Sequence, residues 1–226
     1  MTLFHLHKIS FAFPGFKPLL YDITLTLGAK VNERIGITGS TGAGKTTLLH
    51  VMIGLHSVTR GDIIAFGKRC VSEEDFQEVR KYTGLLFQDP NDQLFCPTVI
   101  EDVTFGCRNL GWDRTMAYEA AYSWLEKFKI THLAEQSIYR LSWGEKRLVA
   151  LAGILAMKPD VLLLDEPNLG LDPQAEKMIV EILNALSQAM VIVAHDQRFL
   201  NECVSRILVL KDGTLIDSQQ KETDLK

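Results

Sequence analysis

The stretch that decides the fold is Gly39-Ser40-Thr41-Gly42-Ala43-Gly44-Lys45-Thr46. It matches the phosphate-binding pattern G-x-x-x-x-G-K-S/T at every specified position. Residues 33–38 before it predict a strand, and residues 46–52 after it predict a helix. Glycines allow several backbone N–H groups to point at one phosphate, and the helix N-terminus adds its positive end. The stretch therefore predicts a phosphate-binding loop rather than a glycine-rich turn without chemical use.

Length, composition and charge narrow the class of protein. At 226 residues, with 46% hydrophobic residues, the chain can bury a sizeable core as one compound domain. No apolar run approaches the roughly 20 residues that cross a bilayer, and the first residues do not resemble a secretory signal, so we expect a cytosolic chain. A net charge of −4 argues against nucleic acid as the main partner. The four cysteines lie far apart, which predicts reduced thiols.

A second candidate site is the acidic pair Asp165-Glu166, which follows the apolar run 161–164. The run predicts a buried strand of a parallel sheet, and ligands bind at the carboxyl ends of such strands. In this position Asp165 can hold Mg²⁺, and Glu166 can accept a proton from an attacking water or orient it. The alternative is that the pair only caps a helix. The phosphate-binding loop in the same chain favours the catalytic interpretation.

Two more polar side chains follow predicted strands. Gln88 ends the buried run 84–87, which indicates a placed amide or only a cap for the next loop. His195 ends the apolar run 191–194. A histidine there can sense a γ-phosphate, or it can simply begin the next helix with Asp196 as the cap. Both residues are therefore candidate site residues.

The middle of the chain, from about 98 to 140, is predicted to be helical. It is followed by Leu141-Ser142-Trp143-Gly144-Glu145, in which Ser142 and Glu145 fit the S-x-x-E capping box. The box predicts the start of an apolar helix that ends near Met157. One interpretation is a well-capped buried helix. The other is a second helix N-terminus that faces an anion.

The remaining signals complete the predicted fold. A turn is predicted at 59–62, and a hairpin turn at Asp212-Gly213 before a polar tail. Asp172-Pro173 predicts the N-cap and first residue of another helix. The predicted class is α/β. It combines a mainly parallel sheet with helices on both faces, an N-terminal antiparallel β region and an inserted helical subdomain.

The order and spacing of these motifs resemble the ATP-binding cassette (ABC) ATPases over nearly the whole chain. The resemblance implies a single ABC ATPase domain over 1–226, with a P-loop NTPase core at 1–88 and 158–226 and a helical and signature subdomain at 89–157. Residues 39–46 resemble Walker A, 162–166 Walker B, 141–145 the signature and 170–172 the D-loop, while Gln88 resembles the Q-loop glutamine and His195 the switch histidine.

The same resemblance implies ATP and Mg²⁺ as cofactors and assigns residues to them. Phe13 is similar in position to an adenine-stacking aromatic, although an aromatic turn at 11–16 is equally typical of an ordinary core. The residues implied to bind ATP are Phe13, Gly39, Ser40, Thr41, Gly42, Ala43, Gly44, Lys45, Thr46 and Thr47. Those implied to be catalytic are Glu166, His195, Gln88 and Lys45, and those implied to hold Mg²⁺ are Thr46, Gln88 and Asp165.

A head-to-tail dimer, of this chain with itself or with a related ABC ATPase, is also implied. Two ATP molecules would lie between the Walker motifs of one subunit and the signature residues Ser142, Trp143, Gly144 and Glu145 of the other, beside the D-loop residue Asp172. Trp143 stands where the family usually has glycine, and Glu145 where it usually has glutamine. The ring can crowd the dimer contact. The carboxylate can repel phosphate unless Glu145 folds back onto the Ser142 N–H.

The segment FQDPNDQLFCPTV at 87–99, with EDVTFG at 101–106, resembles the A component of energy-coupling-factor (ECF) transporters. This resemblance implies a peripheral subunit on the cytoplasmic face of the cell membrane. It would power import of cobalt, nickel or a vitamin such as biotin. The implied partners are an integral-membrane coupling subunit and a substrate-binding membrane subunit. Asp92, Gln93 and Phe95 are the candidate coupling residues, unless they form an ordinary polar loop pinned by one aromatic.

Two alternative functions stay open at this point. The first is the ATPase subunit of another ABC importer or exporter. The second is a non-transport ABC protein that acts on DNA or ribosomes. The chain has no long coiled coil, no second cassette and no basic tail, which argues against the second alternative.

Overall fold

A computed structural model describes residues 2–28 and 32–218 of this chain. Within these residues the strands form one sheet of four strands and one of six. The strands are β1 (Phe4–Phe11), β2 (Leu20–Leu27), β3 (Arg34–Thr38), β4 (Arg60–Ala65), β5 (Lys68–Cys70), β6 (Thr83–Leu86), β7 (Val161–Asp165), β8 (Ala189–Val193), β9 (Arg206–Lys211) and β10 (Thr214–Asp217).

Most helices begin where a side chain caps the first turn. Six residues accept hydrogen bonds from first-turn amides, namely Ser72, Thr98, Asp113, Ser142, Asp172 and Asp196. Such caps satisfy amides that have no partner inside the helix. The helices of the described residues are α1 (Lys45–Met52), α2 (Glu73–Tyr82), α3 (Val99–Asn109), α4 (Arg114–Lys127), α5 (Trp143–Ala156), α6 (Pro173–Ala185) and α7 (Gln197–Cys203).

The larger sheet has the strand order β10-β9-β3-β8-β7-β6. All of its neighbouring strands are parallel except β9 and β10, which form the hairpin predicted at Asp212-Gly213. The smaller sheet, β2-β1-β4-β5, is antiparallel throughout. The predicted fold class is therefore confirmed. The division of the chain at residues 88 and 158 stays a prediction, although α3, α4 and α5 do follow one another inside 89–157.

Both faces of the larger sheet are buried at its central strands β7 and β8. Along β7, Leu162 and Leu164 pack into a core shared with α3 to α7, whereas Val161 and Leu163 pack into a core shared with α1 and the antiparallel sheet. All four side chains are fully buried. Burial of one such side chain contributes about 1.5–3 kcal/mol. The continuous apolar composition of this strand follows from burial on both sides.

One predicted turn is wrong. Residues 59–62 do not form a separate turn, because β4 begins at Arg60 and pairs with β1. The register of that pair shifts between His7 and Ser10, and Gly61 lies opposite this irregularity with φ +86°. The two strands approach closely at this bulge, and the approach requires glycine because any side chain at Gly61 would collide with the β1 backbone.

Other predicted boundaries differ by one or two residues. The strand predicted at 84–87 spans Thr83–Leu86, and the strand predicted at 191–194 spans Ala189–Val193. The four cysteines are free thiols. The predicted polar tail becomes β10 at its start, and its end at 219–226 lies outside the described residues.

Candidate nucleotide-binding site

The phosphate-binding loop connects the end of β3 to the start of α1. Gly44 is the N-cap of α1 and has φ +100°, a left-handed conformation that glycine adopts at little cost. Among residues 2–28 and 32–218 no side chain caps this helix, and its first turn contains no acidic residue. The positive end of α1 is therefore left open toward the loop, which is the arrangement that binds phosphate groups.

The Lys45 ammonium is held at the centre of this loop. Its Nζ donates to the carbonyl oxygens of Gly39 and Ser40 at 2.9 and 3.0 Å, and lies 3.4 Å from Nε2 of His195. Burial lowers the pKa of Lys45, while the nearby carboxylates of Glu166 and Asp165 oppose this change. The ammonium group is thus fixed in position by backbone carbonyls from the start of the loop, and it lines the cleft.

An oxygen pair for a cation lies beside the lysine. The Thr46 hydroxyl donates to Oδ2 of Asp165 at 2.6 Å, and Asp165 is only 2% exposed at the end of β7. Burial raises the pKa of Asp165, and the hydrogen bond from Thr46 opposes this rise. A hydroxyl and a buried carboxylate are the hard oxygen ligands that Mg²⁺ prefers. The donor set therefore fits the predicted ion.

Glu166 has an unusual backbone conformation, with φ +49° in a non-glycine residue. Its Oε2 accepts a hydrogen bond from the His195 amide at 3.2 Å. Its buried Oε1 lies 3.4 Å from Nε2 of His195 and has no hydrogen-bond partner among the described residues. Strained backbone and unsatisfied buried oxygens concentrate at functional sites. The carboxylate is therefore held in place through Oε2, and its Oε1 is available to a ligand.

These groups surround a cleft of about 210 Å³. It brings together predicted residues from the loop, from β7 and from the segments after β6 and β8. Leu19 lines it too, and no motif in the sequence pointed to that residue. The lining consists of Leu19, Thr41, Gly42, Gly44, Lys45, Thr46, Thr47, Gln88, Asp165, Glu166 and His195.

Phe13 lies outside the lining of this cleft. Its ring is 41% exposed and meets the rings of Phe11 and His56 edge-on, with centroids 4.9 and 5.5 Å away. The Phe13 ring is therefore partly exposed, and the rings of Phe11 and His56 pack against the rest of it. Its contact with adenine stays a prediction.

The predicted capping box at the start of α5 is confirmed. The Glu145 amide donates to Oγ of Ser142, and Oε2 of Glu145 accepts from the Ser142 amide at 2.7 Å. Hydrogen bonds that the Ser142 hydroxyl and the Ser142 amide donate to Oε2 of Glu145 lower the pKa of this carboxyl group. The Glu145 carboxylate thus folds back onto the Ser142 N–H. This is the arrangement that we expected to limit its repulsion of phosphate. The four signature residues do not line the cleft of their own chain.

The bulky Trp143 is accommodated within the same chain. Its indole lies over the Cα of Gly170, where any side chain would collide with the ring. Gly170 itself has φ +75°. The signature therefore packs against the D-loop segment, and Asp172 in that segment caps α6 through the amides of Gln174 and Ala175.

The candidate coupling residues are placed in different ways. Asp92 is exposed on a short 3₁₀ turn, and Phe95 is 60% exposed with its ring edge-on to Phe105. Gln93 points inward, because its Oε1 accepts from the Phe87 amide at 3.1 Å. The structure thus supports a surface position for two of the three residues and a structural contact for the third.

A phosphate-binding loop between a parallel strand and a helix, with an acidic pair at the end of a second parallel strand, defines the P-loop nucleoside triphosphatases. Within that class, residues 21–169 match the family model described as ABC transporter. The chain belongs to the ABC transporter family. It is accordingly an ATP-binding ATPase.

Three comparisons describe its relatives. The energy-coupling factor transporter ATP-binding protein EcfA of Methanothermobacter thermautotrophicus is 38% identical, over 95% of this chain and 70% of its own length. An uncharacterized ABC transporter ATP-binding protein of Haemophilus influenzae is 41% identical, over 86% of this chain and 88% of its own length. The structure of CbiO1 from Clostridium perfringens, part of the ABC transporter complex CbiONQ, has a TM-score of 0.82 at 29% identity, over 99% of this chain and 91% of that chain.

The predicted resemblance to ABC ATPases, and to the A component of ECF transporters, is confirmed by these comparisons. None of the helices within residues 2–28 and 32–218 has the length and apolar character needed to span a bilayer.

Proposed function

We propose that this chain is the ATP-hydrolysing subunit of an ECF-type importer on the cytoplasmic face of the cell membrane. The observation that carries the proposal is an apolar groove of about 780 Å³ directly beyond Gln88. Its walls include Leu85, Phe87, Phe95 and Phe105. A groove of this composition next to an ATP cleft fits an amphipathic helix from a membrane partner.

The roles of the cleft residues follow from their chemistry. Glu166 acts as general base or orients the attacking water, because its buried Oε1 has no hydrogen-bond partner within the described residues. Lys45 binds the terminal phosphates, His195 senses the γ-phosphate, and Gln88 takes part in catalysis from the lining of the cleft. Thr46, Gln88 and Asp165 hold Mg²⁺. When bound, this ion neutralises the charge that develops on the phosphate oxygens.

A dimer completes the site. The open end of α1 binds ATP in one subunit, and the signature residues Ser142, Trp143, Gly144 and Glu145 of the other subunit cover it. Asp172 lies in the adjacent D-loop. One chain presents two helix N-termini that attract anions, and a two-fold or pseudo-two-fold pair of subunits can bring them together around one phosphate. The second subunit is another copy of this chain or a related ABC ATPase.

Hydrolysis removes the phosphate that both subunits contact, so the dimer opens and the groove moves with it. Asp92, Gln93 and Phe95 are proposed to transmit this movement to the membrane-embedded coupling subunit. Phe95 is the strongest candidate because its ring is exposed at the groove. A separate membrane subunit binds the solute, proposed to be cobalt, nickel or a vitamin such as biotin. The similarity to EcfA and CbiO1 supports a transporter of the ECF type and names no solute.

The test starts with purification of the chain from its own cells in mild detergent and identification of its membrane partners. The complex is then placed in proteoliposomes, and uptake of labelled cobalt, nickel and biotin is measured with internal or external ATP according to orientation. We expect uptake of one solute, and we expect Phe95→Ser to lower uptake more than ATP turnover. Partners from another transport system, or ribosomes or DNA, would contradict the proposal.

A further inference from the structure

Arg147 is a charged residue inside the apolar helix α5, and its side chain is completely buried. A buried guanidinium persists only where charged or polar partners replace water. Burial lowers the pKa of Arg147, and the negative charges of Asp165, Asp89 and Glu166 oppose this change. Because an unpaired buried charge is costly, the groups that the guanidinium contacts explain why this residue is tolerated inside the helix.

The guanidinium contacts the backbone on either side of Gln88. Its Nη1 donates to the carbonyl oxygen of Phe87 at 2.6 Å, and its Nη2 donates to the carbonyl oxygen of Gln88. The pairing of β6 with β7 ends at Leu86, so these carbonyls lie beyond the sheet ladder. Arg147 therefore provides hydrogen bonds that the sheet no longer supplies.

Two other side chains fasten the same segment to α5. Lys146 donates from Nζ to Oδ1 of Asn91 at 2.7 Å. Gln93 reaches the carbonyl oxygen of Ala150 with Nε2 at 3.5 Å, while its Oε1 accepts from the Phe87 amide. The backbone of Phe87 is thus held at both its N–H group, by Gln93, and its C=O group, by Arg147. Residues 87–93 are tied to one helix at several points.

From these contacts we propose that Arg147 is a positioning residue, which holds Gln88 against the nucleotide cleft from the helix that carries the signature. The proposal rests on the role of Gln88 in the proposed function. Helix α5 begins at the signature, and Gln88 lines the cleft with Thr46 and Asp165. Helix α5 is rigid and connects the signature to the backbone of Gln88, so a displacement of the signature also displaces Gln88.

A double-mutant cycle distinguishes positioning from a general structural role. ATP turnover and the Mg²⁺ concentration for half-maximal turnover are measured for the full chain, Arg147→Met, Gln88→Ala and the double variant. We expect Arg147→Met to lower turnover about 10–100-fold, as losses of supporting contacts commonly do. In the Gln88→Ala background the same substitution should cost less than about threefold, because Arg147 acts through Gln88. Equal losses in both backgrounds would overturn the proposal.

Hydrogen exchange gives a readout that does not depend on activity. In the nucleotide-free chain, Arg147→Met is expected to speed amide exchange in residues 87–93 at least about tenfold, and to leave the β9–β10 hairpin unchanged. Arg69→Met is the matched control, since it removes an exposed arginine paired with Asp62 on the other sheet. Unchanged exchange in 87–93 would also overturn the proposal.

Arg147→Lys covers the case in which Arg147→Met does not fold. Lysine keeps the charge but lacks the two-pronged donor geometry of arginine, so partial loss of turnover and partial loosening of 87–93 are expected. The same cycle with Gln88→Ala then decides between the outcomes, and additive losses again reject positioning. The proposed transport function fails instead on partner identity or uptake, which none of these measurements involves.

Discussion

Two helix N-termini of this protein, those of α1 and α5, are prepared for anions in opposite ways. The N-cap of α1 is Gly44, and neither a side-chain cap nor an acidic residue satisfies its first turn. The N-cap of α5 is Ser142, and the carboxylate of Glu145 accepts hydrogen bonds from the Ser142 amide and hydroxyl. One positive helix end is therefore open, and the other is closed by its own side chain.

Besides the N-cap residues, the third helical residues differ, because this position is Thr47 in α1 and Glu145 in α5. A helix dipole attracts a ligand only where the chain has not already supplied the negative charge. The open end can bind phosphate from solution, whereas the closed end is stable without a ligand. A phosphate that reaches α5 from a partner subunit must compete with Glu145.

The largest expected effect is on ATP hydrolysis, and it separates hydrolysis from the binding of ATP at the open N-terminus of α1. Glu166→Gln removes the proposed base while leaving the loop and α1 intact. We expect ATP turnover to fall about 10²–10⁴-fold, with ATP binding retained and a closed dimer accumulating. Steady-state phosphate release and light scattering with ATP measure the two effects. Normal turnover in this variant would remove Glu166 from the catalytic role.

A carboxylate at Thr47 would convert the open end into a closed one. Thr47→Glu is expected to weaken ATP binding about 100-fold, or about 2.8 kcal/mol, because a like charge a few ångströms from phosphate is repulsive. Thr47→Gln is the control of similar shape without the charge, and should lose about tenfold at most. Titration with a fluorescent ATP analogue measures both affinities. Equal losses in the two variants would show that bulk, not charge, decides binding here.

Bulk and positive charge at the closed end test whether a partner's phosphate reaches it. In a Glu166→Gln background, Ser142→Arg is expected to weaken ATP-dependent dimerisation at least about tenfold, or about 1.4 kcal/mol. Ser142→Ala removes the cap without adding bulk and should cost only about 1 kcal/mol of stability. Sedimentation with and without ATP reports the dimer. Unchanged dimerisation of Ser142→Arg would contradict the head-to-tail arrangement.

The smallest effect concerns the charge of the cap. Glu145→Gln keeps the capping-box geometry but loses the carboxylate. We therefore expect the free energy of unfolding to fall by about 0.3–1 kcal/mol at neutral pH. The pKa of Glu145 is lowered in the folded chain from its ordinary value of 4.5, so its contribution is complete above 4.5 and disappears as pH falls through the lower folded value. Urea unfolding of both proteins across this pH range measures the difference. A difference that persists in full at low pH would contradict the assignment.

Features carried by neighbouring residues were predictable from the sequence. The phosphate loop, the Ser142–Glu145 box and the Asp172 cap each depend on residues within a few positions of one another, and each is present in the structure. The acidic pair was predictable too, because an apolar strand with polar residues at its carboxyl end has few other uses in an α/β fold.

What the sequence by itself determined is the class of fold and most of the residues that line the cleft, since contiguous motifs contain their own geometry. Only the tertiary structure decided that Arg147 holds the Gln88 backbone, that Trp143 packs on Gly170, and that residues 59–62 belong to a strand. These contacts join positions far apart along the chain, and they depend on which elements the topology brings together. Local sequence specifies hydrogen bonds within a turn, whereas distant partners are fixed only when the two cores pack.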